Sequence, residues 1–179
     1  VGLSVDLSTR KGRDLAAALG VFEILQNMDL LEVVERQTNE VERMLMGRYG
    51  QVKPIQLLMT IPGIGFLTAL TLYAEICDIK RFPNPEKLAH YAGLVPRVHQ
   101  SADHTRLGKE TKANKWLKWI MVEVAWLHIR YCPDGRLAKV FEDACRRKRD
   151  RRKAIKIVAR KLVNVVWAVW TYEREFMVE

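Results

Sequence analysis

Cysteine is scarce in this 179-residue chain. Cys77, Cys132 and Cys145 are scattered and form no CxxC pair, which argues against disulfide staples and against a structural zinc site. The four histidines, His90, His99, His104 and His128, also lack ligand spacing, so no metal is assigned to any residue here. Long apolar runs are missing too: no stretch approaches the ~20 residues that a membrane span needs. Residues 1–20 do not show the charged, apolar and small-residue order of a signal peptide. A cytoplasmic protein with no membrane partner is expected. Neither an internal repeat nor a low-complexity linker is visible.

What the chain has is apolar content and positive charge. At 49% hydrophobic it can bury a real core, with an appendage rather than a second full domain, and its five tryptophans all lie between Trp116 and Trp170. The formal net charge is +9 and it is unevenly placed. Residues 1–60 carry seven Lys or Arg against eight Asp or Glu, whereas residues 61–179 carry 23 against 13. The densest block, Arg146 to Lys161, holds ten cations and one acid. A polyanion is the natural partner of such a surface, and nucleic acid is the commonest one. Within the block the apolar residues Ala154, Ile155, Ile157, Val158, Leu162, Val165, Val166 and Val169 keep a helical spacing, so the cations open a core-packed helix. Arg146, Arg147, Arg149, Arg152 and Lys153 are the candidate phosphate contacts there; a solvated charged face is the plain alternative.

The periodicity predicts an all-α chain. Ile24, Leu31, Val34, Val41 and Leu45 fall on a three-four spacing interrupted by Asn27 and Thr38, as in a short coiled coil. Such a seam serves equally as an intramolecular prop or as a dimer contact. Gly47, Gly50 and Pro54 are expected to end this helix, which places the boundary between an arm, residues 1–53, and a main domain, residues 54–179. In the main domain, residues 57–78 read LLMTIPGIGFLTALTLYAEICD. An apolar helix ends at Ile61, a turn follows with Gly63 and Gly65, and a second helix starts near Phe66. The arrangement is similar to the helix-hairpin-helix element of DNA-binding proteins, whose turn N–H groups touch phosphate; an ordinary tight corner in a packed core is the alternative.

The richest stretch runs from Tyr91 to Lys118. Its cations are Arg97, Arg106, Lys109, Lys112, Lys115 and Lys118, opposed by Asp103 and Glu110. Four lysines step by three, which on a helix makes a basic stripe opposite an apolar one of Leu117, Ile120, Met121, Val124 and Leu127 or His128. Ser101 precedes them in a segment, Gln100 to His104, that reads as a loop. By residue type alone Ser101 is a turn or cap residue before it is a nucleophile. Arg106, Lys109 and Lys112 could nonetheless neutralise a phosphate beside its hydroxyl, which is most of what phosphoryl transfer asks of a protein.

These motifs together resemble the C-terminal transposase domain of the insertion-sequence-110 group, the DEDD transposases, some of which are bridge-RNA-guided serine recombinases. The resemblance covers roughly residues 57–170. It rests on IPGIG with ALTLYAEI, on FPNPEKLAHYAGLVPR, on Gln100 and Ser101, on Arg106, Gly108, Thr111, Lys112, Asn114, Leu117 and Lys118, and on AIKIVARKL. It implies that Ser101 is a nucleophile joining covalently to DNA and that Asn114 belongs to the nucleic-acid-binding set. It further implies an acidic N-terminal RuvC-like domain holding a divalent metal such as Mg. That domain is not among these residues, so a C-terminal fragment of a longer recombinase is expected, with no cofactor of its own and no activity in isolation. DNA is the expected partner, joined by a structured guide RNA in some members and by a second copy of the chain.

Three positions, in two places, depart from the family pattern. Ala102 and Asp103 stand where glycines usually follow the serine, and Ala113 stands where a Gly usually precedes the Asn. Asp103 would repel a phosphate unless an arginine or a metal offsets it. Activation of the serine is left to a metal from the other domain or to His99 or His104. The rival reading is a non-catalytic nucleic-acid-binding and dimerisation module; a helical adaptor for acidic proteins ranks below both.

Overall fold

A computed structural model describes residues 9–18, 22–95, 97–101, 104–108 and 113–177. Helices α1 (Arg10–Ala18), α2 (Phe22–Tyr49), α3 (Lys53–Met59), α4 (Phe66–Ile76) and α5 (Pro85–Tyr91) come first, with a 3-10 turn at Ile79–Arg81. Strands β1 (Arg97–Ser101) and β2 (His104–Gly108) follow, then α6 (Lys115–Tyr131), α7 (Arg136–Lys148) and α8 (Arg151–Tyr172). The helical class expected from periodicity holds, with one antiparallel hairpin added to it.

The chain divides into two compact units, residues 1–48 and residues 49–179. Within the first, the guanidinium of Arg13 lies 2.7 Å from the Glu35 carboxylate and ties α1 to α2. Helix α2 ends at Tyr49, inside the expected break from Gly47 to Pro54 and just before Gly50; it runs through Gly47 itself because a solvent-facing glycine weakens a helix by only about 1 kcal/mol. Of the proposed seam, Leu31 and Leu45 are half-buried, while Val34 and Val41 stand in solvent together with Leu30 and Met44.

The second unit is built around α8, which packs against α3, α5, α6, α7 and the 3-10 turn. Its buried face is Ala154, Ile155, Val158, Ala159, Leu162, Val163, Val166, Val169 and Trp170. This is the stripe that the spacing predicted, with Ile157 and Val165 at its half-exposed margins. Opposite it, α6 buries Leu117, Ile120, Met121, Val124, Ala125 and His128, so the ambiguity between Leu127 and His128 resolves inward for the histidine. Tryptophans fasten the layers: Trp170 stacks on Tyr73 with ring centres 5.6 Å apart, and the Trp167 indole donates to the Phe82 carbonyl at 2.8 Å.

Short helices here start where their caps dictate. The Asn84 side chain accepts from the Lys87 N–H at 3.0 Å and Pro85 supplies a helical φ, so α5 begins at once after the FPNP loop. At the far end Gly93 takes a φ of 65°, and the Leu94 N–H returns to the Ala89 carbonyl.

Candidate nucleic-acid interface

The turn between α3 and α4 is pressed onto α6. Gly63 has a φ of 94°, and a Cβ placed there would meet the His128 nitrogen at 2.9 Å and the Leu127 Cβ at 3.1 Å. Beside it the His128 imidazole Nδ1 lies 2.8 Å from the Pro62 carbonyl, which accounts for the one buried polar side chain found among the described residues. Glycine at 63 is therefore a requirement of packing and of left-handed backbone. Gly65 differs. It is exposed, nothing lies within 4 Å of its missing Cβ, and it starts α4 without a side-chain cap. Of the two glycines, the second is the one open to a phosphate.

Ser101 lies in a hairpin and not in a loop. Its register pairs Arg97 with Gly108, Val98 with Leu107, His99 with Arg106, Gln100 with Thr105 and Ser101 with His104. Because residues directly opposite one another, and residues two apart along a strand, share a face, Arg97, His99, Ser101, His104 and Arg106 occupy one face of the ribbon. Val98, Leu107, Gln100 and Thr105 occupy the other. Lys109, Lys112, Ala102 and Asp103 lie outside the described residues.

The segment that carries the hairpin is closed at its base. The Asn114 N–H donates to the Tyr91 carbonyl at 2.9 Å, joining the end of α5 to the start of α6. The Asn114 side chain accepts from the Leu117 N–H at 2.9 Å as the cap of α6, and its amide donates to Glu75 Oε2 at 2.6 Å and to the Tyr91 hydroxyl at 3.3 Å. Asn114 is thus occupied on both sides inside the domain. Of the expected four-lysine stripe, Lys115, exposed, and Lys118, half-buried, ride on α6, which begins at Lys115; Lys109 and Lys112 lie outside the described residues.

The basic block is a corner. Arg146, Arg147 and Lys148 fill the last turn of α7, Arg149 turns the chain with a φ of 50°, and Asp150 caps α8, whose first turn is Arg151, Arg152 and Lys153. Every one of these cations is exposed. Cations at the end of α7 suit the helix dipole; three at the start of α8 oppose it. Asp150 relieves that conflict, accepting from the Arg152 N–H at 2.8 Å and the Lys153 N–H at 3.3 Å. Desolvation pushes its carboxyl upward, but those two N–H groups and the Lys153 ammonium outweigh it and hold the group below the ordinary carboxylate range.

Within the corner the cations differ in their commitments. Arg146 faces Asp143 at 3.3 Å, Lys153 faces Asp150 at 3.4 Å, and Arg147 donates to the Asp143 carbonyl at 3.4 Å. Arg151, which the sequence did not single out, lies over the rings of Trp126 and Phe141, 5.8 and 5.6 Å from their centres. Among the described residues Arg149 and Arg152 carry no ion pair. Lys156 and Arg160 continue the line of Arg152 at helical spacing and are exposed on the same stripe. Their i+4 spacing was the signal that would have added them. A cleft of about 520 Å³ between α6, α7, α8 and residues 174–177 adds Lys161 and Arg174 to the positive surface of this unit.

Among the described residues no cluster of three or more His, Cys, Asp or Glu could hold a metal ion, and no helix is long and apolar enough to cross a membrane.

Residues 55–139 match the model of the family described as transposase, IS116/IS110/IS902 family. The chain is 30% identical over 123 residues to the transposase for insertion sequence element IS1111A of Coxiella burnetii, an alignment that takes in 68% of this chain and 34% of that protein. It is 30% identical over 138 residues to the transposase for insertion sequence element IS1328 of Yersinia enterocolitica, covering 75% of this chain and 41% of the relative. The pilin gene-inverting protein of Moraxella bovis is 32% identical over 128 residues, which are 67% of this chain and 38% of its own length. The chain therefore spans between a third and about two fifths of the length of these relatives. With the ordered motifs from IPGIG to Lys118 lying in or beside the matched region, the chain carries a transposase domain of the IS116/IS110/IS902 family.

Proposed function

We propose that this chain is the DNA-engaging, serine-bearing part of a recombinase that cuts and rejoins strands. The observation that carries the reading is the hairpin register, which sets Ser101 on one face with Arg97, His99, His104 and Arg106. In the proposed reaction the Ser101 hydroxyl attacks a DNA phosphorus. The bond from phosphorus to the leaving oxygen breaks, the strand end departs as an alcohol, and the phosphate stays on serine as a diester. A serine at its ordinary acidity is a poor nucleophile, so its proton must pass to a base. His104, directly across the ladder, and His99, two residues back, are the available groups. Arg97 and Arg106 supply charge for the non-bridging oxygens. Attack on the phosphoserine by another strand end reverses the step and rejoins DNA.

The rest of the unit grips the backbone. Gly65 at the uncapped start of α4, as the turn of a helix-hairpin-helix element, and the corner of Arg149, Arg152, Lys156 and Arg160 are the phosphate contacts of this account. Arg146, Arg147, Lys153, Lys115 and Lys118 add to the field around them. Residues 1–53 act as a coiled-coil arm. The apolar residues that α2 leaves in solvent, Leu30, Val34, Val41 and Met44, support its use as a contact between copies. An acidic, metal-holding domain and a structured guide RNA belong to the longer protein of this proposal, and a DNA partner implies a cytoplasmic place of work. The second reading, a nucleic-acid-binding and dimerisation module without catalysis, draws on the same cations and arm.

Equilibrium binding of the chain to labelled duplex DNA across a salt series tests the grip. About five to eight neutralised phosphates give a log-log slope of roughly −4 to −7, and each of Arg152→Ala, Lys156→Ala and Arg160→Ala makes the slope shallower by about 0.9. A shallow slope that none of these changes alters contradicts the proposed contact set. Loss of strand exchange in the longer protein on Ser101→Ala, with duplex binding retained, separates the recombinase from the binding module.

A further inference from the structure

Three of the five tryptophans are packed: Trp126 meets Phe141 edge-on, Trp167 donates to the Phe82 carbonyl, and Trp170 stacks on Tyr73. Trp116 and Trp119 are not. They stand on the first two turns of α6 with 66% and 55% of their surface in solvent. Their rings meet edge to face, 6.1 Å apart and at 85°. A large apolar ring left in water twice within one turn is a surface waiting for a partner. The edge-on arrangement leaves indole faces uncovered, which is the geometry a flat ring needs to stack.

Charge selects the partner. The first turn of α6 contains no acid, and Lys115 is exposed beside Trp116 while Lys118 sits next to Trp119. The first carboxylate along this face is Glu123, one turn beyond Trp119. Aromatic rings interleaved with cations match a nucleic-acid strand, in which bases alternate with phosphates. Duplex DNA hides its base faces, so the match is to unpaired DNA. Helix α6 follows the Ser101 hairpin in the chain, and its cap closes the base of that excursion. We infer that Trp116 and Trp119 form a stacking platform for unpaired DNA bases next to the strand that Ser101 engages, with Lys115 holding the intervening phosphate. This rests on the DNA-recombinase reading above and adds the class of DNA that the domain takes.

The test is binding of the chain to a labelled oligothymidylate of about 20 nucleotides and to a duplex of the same length. The probes are the natural chain, Trp116→Ala with Trp119→Ala, Trp116→Phe with Trp119→Phe, and Lys115→Ala. The double alanine variant should lose about 5-fold to 100-fold in affinity for the oligothymidylate and less than about 2-fold for the duplex. Its log-log salt slope should stay unchanged, since an indole displaces no counterions, and the phenylalanine pair should recover much of the loss. Lys115→Ala should instead make the single-strand slope shallower by about 0.7. Because both rings are exposed, the thermal midpoint should not move. Equal losses on single strand and duplex, or none on either, overturn the platform while leaving DNA binding intact. Tighter binding of an oligouridylate of the same length assigns the surface to RNA and also overturns it. A change of oligomeric state in the alanine pair makes it a protein contact. Absence of binding to every nucleic acid overturns the functional reading as well.

Discussion

The Asn114 amide donates to Glu75 Oε2 at 2.6 Å, across 39 positions of sequence, and so ties the start of α6 to the last turns of α4. With the Tyr91 carbonyl taking the Asn114 N–H, this one residue holds together both ends of the excursion that presents Ser101. Asn114→Ala removes a helix cap and leaves a half-buried carboxylate short of a donor, and should destabilise the domain by about 2–3 kcal/mol in urea titrations. Asn114→Ser keeps an acceptor for the Leu117 N–H and should cost about half as much. If Asn114 instead served as a direct phosphate contact, Asn114→Ala would weaken DNA binding without touching stability.

Gly63 and Gly65 should separate in the same way. At Gly63 a methyl group meets the α6 backbone and φ is positive, so Gly63→Ala should destabilise by about 2–4 kcal/mol, a fall of roughly 5–15 °C in the thermal midpoint. Gly65→Ala enters open space and should stay within about 1 kcal/mol of the natural chain.

Much of this architecture was legible and some was not. The stripes of α6 and α8 follow from three-four spacing because both helices pack on a single core, and there periodicity and burial are the same constraint. The hairpin escapes a sequence reading because Gln100 to His104 is polar, offers no Asn-Gly or Asp-Gly turn, and each strand is only five residues long. Helix α6 starts after Asn114, whose side chain caps it. The Asn before Lys-Trp-Leu was itself the cap signal. No local pattern could have shown the bond to Glu75, which exists only once α4 and α6 are packed.

Arg149 should exchange stability for function. It occupies a left-handed conformation that glycine adopts without strain, with its N–H on the Cys145 carbonyl at 2.9 Å. Arg149→Gly should therefore leave the domain equally stable or up to about 1 kcal/mol more stable, while weakening duplex binding and making its salt slope shallower by about 0.9. Both arms are read on one protein preparation, by urea titration and by equilibrium binding.

Asp150 sets an acid limb of stability. Its carboxyl is held below the ordinary range in the folded chain, so its contribution is fully present above the unfolded value of about 4 and fades as pH falls through the lower folded value. Asp150→Asn keeps a cap but not the charge. The gap in urea midpoint between the natural chain and this variant should be constant near neutrality and close as pH drops below about 4. A gap that stays constant down to pH 2 would mean the charge contributes nothing.

In the proposed reaction Ser101 carries the DNA phosphate. The most direct measurement is to trap strand cleavage by a longer recombinase containing this chain, digest it, and locate the nucleotide-bearing peptide by mass spectrometry. A phosphodiester should be found on Ser101 in the peptide between Arg97 and Arg106 and be absent from Ser101→Ala. An adduct on another residue, or one that persists in Ser101→Ala, contradicts it.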